Sequence, residues 1–477
     1  MAVFQGFIGP AYQSQNANAT SERLMNLYLE KNETPGAKAP WVLNPTPGVT
    51  AYTTLAQSPN RGLFAQDGRA WAVGGNRLYE VFAGATPTDR GLVARDSNPA
   101  TFASSGDTGG QLFVTSGDRG YILDLSTHVL TQVVLDVTFG AYVDGYFLGL
   151  DTTESVLRMS NLLDGTTWSA TNTIPRDTAG DKWKAMVVAH GDIWLVGSET
   201  TDVFYNAGTS PVPFAPIPGA FIEMGTCAPF SVVVFDGTPA WIAQGARGRG
   251  IVVRANGYGA PTRISTHAIE YALQSYSTID DAIGFTYEEY GHTFYVLNFP
   301  TAGATWVYDA STEQWHERGW WDGAVGTFTT YRPQFHAAAF GTHLVGDRSS
   351  GVVYEMKSSL STDVDGTGIR RVRRAPHISD QQQWMFYAHL HIDMQTGLGL
   401  STGQGSDPTV MLRYSNDGGR TFGNERTVSA GALGRYAARA RFTRLGRARD
   451  RVFEVSFSDP VPFRLTAAYL DVTKGLS

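Results

Sequence analysis

Residues 283–315 read IGFTYEEYGHTFYVLNFPTAGATWVYDASTEQW, and the order of residue types in this stretch decides the fold. Apolar and polar residues alternate from Ile283, the pair Tyr290-Gly291 interrupts the alternation, and a second, aromatic-rich run begins at His292. A Gly-containing corner leads into TWVYD, and DASTEQW closes the unit. Side chains of an extended chain point alternately to opposite faces, so each run reads as a short strand and each x-Gly break as a hairpin turn. The same order of strand, x-Gly turn, aromatic strand, corner and closing strand recurs in Arg61–Phe82, Gln111–Leu125, Phe139–Trp168, Lys184–Tyr205, Phe230–Arg254 and Phe335–Met356. The spacing is roughly 40–50 residues. A small twisted sheet buries its faces only against neighbours of its own kind, so this period predicts the blades of an all-β propeller. About seven units are present, with six to eight compatible with the insertions between them.

Outward from this array the pattern changes. Residues 1–60 read as an extended N-terminal segment, in which Met25, Leu27 and Leu29 alternate as one strand and Pro45 and Pro47 hold the next stretch extended. The propeller is expected over 61–358. Residues 359–383 form a basic linker that opens with a Gly/Ser/Asp-rich bridge, and 384–477 read as a separate β-sandwich-like domain with strands in MFYAHLHIDM, TVMLRYS, RYAARARFTRLG, RVFEVSF and FRLTAAYLDV. The one clear helical pattern runs from Thr266, a capping residue, to about Tyr276, with Ile269, Leu273 and Tyr276 on one face.

Composition excludes several classes. The longest apolar runs, such as FSVVVF at 230–235, are strand-sized, far short of the ~20 residues of a membrane-spanning helix. The first residues, MAVFQG, lack the basic flank and apolar core of a signal peptide. Cys227 is the only cysteine, which excludes an internal disulfide and a cysteine zinc site and fits folding in a bacterial cytoplasm. The net charge of −7 is divided unevenly: from Ser359 onward there are 16 Lys/Arg and 11 Asp/Glu, against 21 and 33 before it. An acidic body and a basic C-terminal part point to different surroundings for the two ends.

The motifs that carry chemistry elsewhere are sparse. SNDGGRTF at 415–422 fits the Asp-box turn of sialidase propellers, but it is the one clean copy and lies outside the blades, which favours a hairpin-stabilising turn. SNLLDGTTW at 160–168 is a looser relative. Glu288 and Glu289 are neighbours on a strand and point to opposite faces, unlike a glycosidase acid/base pair. His389, His391 and Asp393 alternate on one strand face and read as strand-surface groups rather than metal ligands. GARGRG at 245–250 suits a blade-connecting loop, because no helix N-terminus follows it. No catalytic residue, metal ligand or cofactor-binding residue is assigned.

The arginines are the more informative feature. Arg370, Arg371, Arg373 and Arg374 follow the bridge, and Arg435, Arg439, Arg441, Arg444, Arg447, Arg449 and Arg451 crowd a later segment. Arg370, Arg371, Arg373, Arg374, Arg439 and Arg441 are the candidate contacts to an acidic partner or to DNA. Sequence readout of DNA is not expected, since no recognition helix is present.

Several stretches together resemble one family: the packaged-DNA stabilisation proteins, or tail accessory factors, of short-tailed bacteriophages. The resemblance is carried by NPTPGVT, RGLFAQDGRAWAVGGNRLYEV, GDIWLVGSETTDVFYNAG, the stretch from GTCAPF to TRISTHAIEYALQSY, HTFYVLNFPTAGATWVYDASTEQWHERG, LRYSNDGGRTFGNERTVSAG and RARFTRLGRARDRVFEVSFSDPV, in that order. It implies a non-enzymatic virion protein of the tail or neck. Such a protein forms a homo-oligomeric ring, six-fold by family expectation, against the portal-adaptor (head–tail connector) ring. It closes the channel after packaging and presents sites for tail needle, tailspike or fibre proteins. Packaged DNA, contacted without sequence specificity, is the other candidate partner of the arginines. A propeller glycosidase of sialidase type, or a carbohydrate-binding tail protein, is the alternative reading.

Overall fold

In the computed structural model, residues 283–318 fold as an antiparallel meander of Ile283–Glu289, His292–Phe299, Ala304–Asp309 and Gln314–Arg318. The local chemistry explains the turns. The Asp309 carboxylate accepts from Ser311 N at 2.9 Å, from the Thr312 hydroxyl at 2.9 Å and from His292 Nδ1 at 2.7 Å, locking the last hairpin. The aromatics fill the wedge towards the preceding blade, where Tyr295, Tyr308, Trp315 and Phe235 form one buried cluster. Their polar ends are satisfied as well: Tyr295 donates to Ser231 O at 2.6 Å and Trp315 Nε1 to Ile264 O at 2.8 Å.

The structure describes residues 2–246 and 248–475, and among these seven such sheets are present. Blades one to four comprise strands within 60–92, 101–135, 139–175 and 183–222. Blade five is a five-stranded sheet over 225–263, blade six is the meander above, and blade seven contains Pro333–Ala339, Thr342–Asp347 and Val352–Lys357. The innermost strands of successive blades, Val233–Phe235 in blade five, are neighbours around the ring, and Pro333–Ala339 meets Asn60–Gln66 to close it. The fourth strand of blade seven comes from the other end of the chain: Gly48–Thr54 pairs antiparallel with Val352–Lys357, Met356 opposite Val49. Closing a ring with an N-terminal strand joins its first and last blades by backbone hydrogen bonds as well as by packing.

The C-terminal unit is a β-sandwich. One sheet runs in the order Leu27–Lys31, Trp41–Pro45, Leu465–Lys474, Met385–Met394, Ala440–Ala448. The other runs Arg23–Met25, Arg371–Arg374, Asp450–Phe457, Thr409–Ser415, Arg426–Ser429. Between them lies a buried core that includes Phe4, Phe7, Leu24, Leu43, Leu390, Phe442, Phe453 and Phe463.

Three sequence expectations change. Residues 1–60 are shared between the two units rather than standing apart, since 48–54 complete the propeller and most of what precedes them builds the sandwich. The single strand expected at Arg23–Lys31 is two, broken at Asn26, whose φ of 54° turns the chain from one sandwich sheet to the other. The basic linker contains a strand in mid-sheet: Arg371–Arg374 pairs with Asp450–Phe457 on one side and Arg23–Met25 on the other. Arg23–Met25 also runs parallel to Gln314–Arg318 at Met25–Glu317, so one sheet continues from blade six into the sandwich. The expected helix is found at His267–Ser275, with the Thr266 hydroxyl accepting from Ile269 N and Ile269 and Leu273 buried.

Candidate functional site

The six candidate arginines divide into two kinds. Arg371 and Arg373 are fully buried inside the molecule, which removes them from any partner surface. Alternation within Arg371–Arg374 sends both to the inner side of the strand, where long-range backbone meets them. Arg373 donates to Phe7 O and Gly6 O at 2.7 Å each and to Pro10 O at 3.4 Å, pinning the N-terminal arm. Burial pushes its guanidinium down to about 10 and that of Arg371 down to about 9, with Asp363 opposing the shift of Arg371. Arg370 and Arg374 are tied up as well. Arg370 pairs with Glu425 at 2.7 Å over the Trp321 ring, and Arg374 pairs with Glu454 at 2.8 Å over the Phe422 ring. This group holds the sandwich together and braces it against the propeller.

Arg439 and Arg441 are exposed, and they belong to a larger set. Arg435, Arg439, Arg441, Arg444, Arg447 and Arg449 all face solvent along one edge of the sandwich, on Ala440–Ala448 and the turns at its two ends. None of the six forms an ion pair among the described residues, in contrast to Arg370, Arg374 and Arg413. Arg441 lies 3.1 Å from His389 Nε2, and Arg447 and Arg449 stack on Trp384 at 4.7 and 5.0 Å. Like charges crowded on an edge strand repel one another, and that repulsion is relieved by a negatively charged partner.

The other motifs have structural roles. Asp417 accepts from Thr421 N at 2.9 Å, Arg420 N at 3.1 Å and the Ser415 and Thr421 hydroxyls at 2.6 Å each, which holds its carboxyl well below the usual range. The Asp box therefore secures a turn of the sandwich, and Phe422 beneath it receives the guanidinium groups of Arg374 and Arg413. Glu288 is exposed, while Glu289 accepts from Ser358 N at 3.0 Å. His389 faces Asp471, His391 faces Tyr469, and Asp393 pairs with Lys38, so the three do not converge. No group of three or more His, Cys, Asp or Glu side chains able to hold a metal occurs among the described residues. In GARGRG, Gly245 and Gly248 lie on the two strands joined by the hairpin of blade five; Arg247 lies outside the described residues. Burial pushes the Cys227 thiol up to about 11, leaving it a poor nucleophile. No helix among the described residues is long and apolar enough to cross a membrane.

The family model described as bacteriophage P22 Gp10, β-propeller, matches residues 7–361, and the one described as bacteriophage P22 Gp10, β-sandwich, matches residues 370–473. The chain belongs to this family. The P22 Gp10 family is a family of phage structural proteins that stabilise packaged DNA, and its division into propeller and sandwich is the division seen here. The match to the propeller model begins at residue 7, ahead of the strand that closes blade seven. No curated protein matches the chain. Among solved structures, the N-terminal domain of Nup159 is similar at 9% identity over 71% of this chain and 99% of that one, with a TM-score of 0.41. The extracellular domain of the putative one component system BT4673 from B. thetaiotaomicron is similar at 10% identity over 80% of this chain and 47% of that one, with a TM-score of 0.44. The dihydro-heme d1 dehydrogenase NirN is similar at 12% identity over 70% of this chain and 75% of that one, with a TM-score of 0.40.

Proposed function

We propose that this Gp10-family chain is the tail hub of a short-tailed phage: a ring of identical subunits that seals the portal channel after packaging and joins the portal-adaptor ring to needle, spike or fibre proteins. The observation that carries the reading is the segregation of charge between two rigidly joined units. Residues 48–358, the propeller, hold 18 basic and 30 acidic residues, while 359–477 hold 16 and 11 and 1–47 are balanced at three each. An acidic propeller keeps free subunits apart in the cytoplasm, and the unpaired arginines of the sandwich seek an acidic surface at assembly. Closed symmetry then multiplies modest contacts into a seal that resists pressurised DNA, although each subunit alone is soluble.

Rigidity is the other requirement, and the continuous sheet from blade six through Arg23–Met25 into the sandwich supplies it. Force on the sandwich is carried into the propeller through backbone hydrogen bonds and not through a flexible linker. Particles assembled without this chain test the proposal. Heads that fill normally and then lose their DNA support the hub, whereas heads that retain DNA to wild-type levels contradict it.

A further inference from the structure

Two of the six arginines that form no ion pair among the described residues, Arg435 and Arg439, flank a feature that charge alone does not explain. The loop 430–439 projects Leu433, 62% exposed, and Tyr436, 72% exposed, with Arg435 and Arg439 beside them. The loop is not loose. Thr396 Oγ1 donates to Tyr436 O at 2.8 Å, Gly434 N donates to Gly397 O at 3.1 Å, and the Tyr436 ring packs on Gly397 so closely that a Cβ there would sit 2.7 Å away. Apolar side chains held rigidly in solvent have already lost their conformational entropy, which lowers the cost of binding. A rigid Tyr beside Arg is also the composition of an interface hot spot.

The propeller carries a matching feature of opposite sign. At the corner of blade three, Leu162 is 56% and Leu163 72% exposed. Leu163 sits at φ 59°, a region a Leu seldom adopts, and is fixed there by its N–H donating to Gly145 O at 2.7 Å while Leu162 covers Gly145. Asp144 and Asp164 lie at the same corner, next to Gly145 and Leu163 in the chain. Each accepts from a neutral side chain, Asp144 from Asn206 Nδ2 and Asp164 from the Thr166 hydroxyl. A strained, exposed leucine beside carboxylates without cations is a surface shaped for contact.

We propose that the tip of the sandwich in one copy, Leu433 and Tyr436 flanked by Arg435 and Arg439, docks on the blade-three corner of the next copy, Leu162 and Leu163 flanked by Asp144 and Asp164. The two surfaces are apolar at the centre and opposite in charge at the rim. Both lie on every chain, so a contact between different patches of identical subunits repeats from copy to copy and forms a ring when the rotation between neighbours closes. DNA is the poorer occupant of the tip, because a phosphate backbone offers no apolar surface to Leu433. The inference rests on the ring reading given above and names the interface that forms it.

The test uses virus particles assembled with the full chain carrying Tyr436→Cys and Leu163→Cys in a Cys227→Ser background, treated with a short bis-maleimide. The expected result is a ladder of covalent multimers on a denaturing gel, absent from either single-cysteine variant. Particles that hold the double variant at wild-type copy number and give no multimers overturn the interface while leaving the hub reading intact. A second variant, Arg435→Glu with Arg439→Glu, guards against misfolding. It is expected to melt at the wild-type temperature and to enter particles at least tenfold less efficiently. Incorporation at the wild-type level overturns the proposal, and absence of the wild-type chain from the neck overturns the hub reading itself.

Discussion

Asn26 and Gly319 bind each other in both directions: Asn26 Oδ1 accepts from Gly319 N at 3.0 Å, and Asn26 Nδ2 donates to Gly319 O at 2.9 Å. The same amide donates to Arg370 O at 2.9 Å, so one buried side chain holds the end of blade six and the entry of the sandwich together. Asn26 also takes the left-handed φ that switches the chain between sandwich sheets, a conformation Asn tolerates better than most residues. Asn26→Gly keeps the backbone and loses the bridge, for an expected loss of about 2 kcal/mol; Asn26→Ala loses both and is expected to cost about 3 kcal/mol or more. Urea unfolding of the two variants checks the order, which reverses if the backbone is irrelevant.

The arginine division makes a second prediction. Arg373→Met leaves the carbonyls of Gly6, Phe7 and Pro10 without a donor and is expected to destabilise the chain by roughly 3–5 kcal/mol. Arg441→Ala, at an exposed position, is expected to change stability by less than about 0.5 kcal/mol. Thermal melts of the two proteins separate the buried group from the exposed ridge, and equal losses contradict the division.

Closure of the propeller is testable with one methyl group. Gly48 begins the strand that completes blade seven, and a Cβ there would lie 2.7 Å from Leu360 C and O and 2.8 Å from Thr362 O. Backbone on all sides has little room to give, so Gly48→Ala is expected to cost roughly 2–3 kcal/mol. A variant as stable as the wild type in urea shows that the closing strand is dispensable.

Acid sensitivity follows from His316, buried among Tyr28 and Phe294. Burial, with Arg318 and His292 adding repulsion, holds its pKa well below the usual value, so the native imidazole stays neutral. The unfolded chain binds a proton near pH 6.5 that the native state refuses, so this contribution to stability is complete above that pH and is lost on acidification, by about 1.4 kcal/mol per pH unit. Asp363, raised to about 7 by burial, acts in the opposite sense over the same range. The difference between chains isolates the histidine: His316→Phe is expected to flatten the pH dependence below pH 6 by about one proton's slope. Parallel curves for the two proteins contradict the assignment.

The blades were legible because x-Gly turns and buried aromatics mark their middle strands. Their outer strands were not: Ala85–Leu92 is exposed along most of its length, so no alternation is imposed on it. Met25, Leu27 and Leu29 alternate perfectly across a break that exists only because Gly319 and Arg370 meet Asn26 from nearly 300 residues away or more. The same distance hid the fate of Arg373, since a run of arginines reads as a solvated face until the carbonyls of Gly6 and Phe7 come into view. Arg439 and Arg441 are exposed at the start of the edge strand, and Leu433 and Tyr436 in the loop before them give no periodic signal in the sequence.

Cryo-electron microscopy of purified particles decides whether this chain is the ring closing the portal channel. Seven-bladed propellers are expected in a closed ring beneath the portal adaptor, each joined without a break to its sandwich. Density for this chain at a fibre tip, or its absence from the neck of DNA-filled particles, would contradict it.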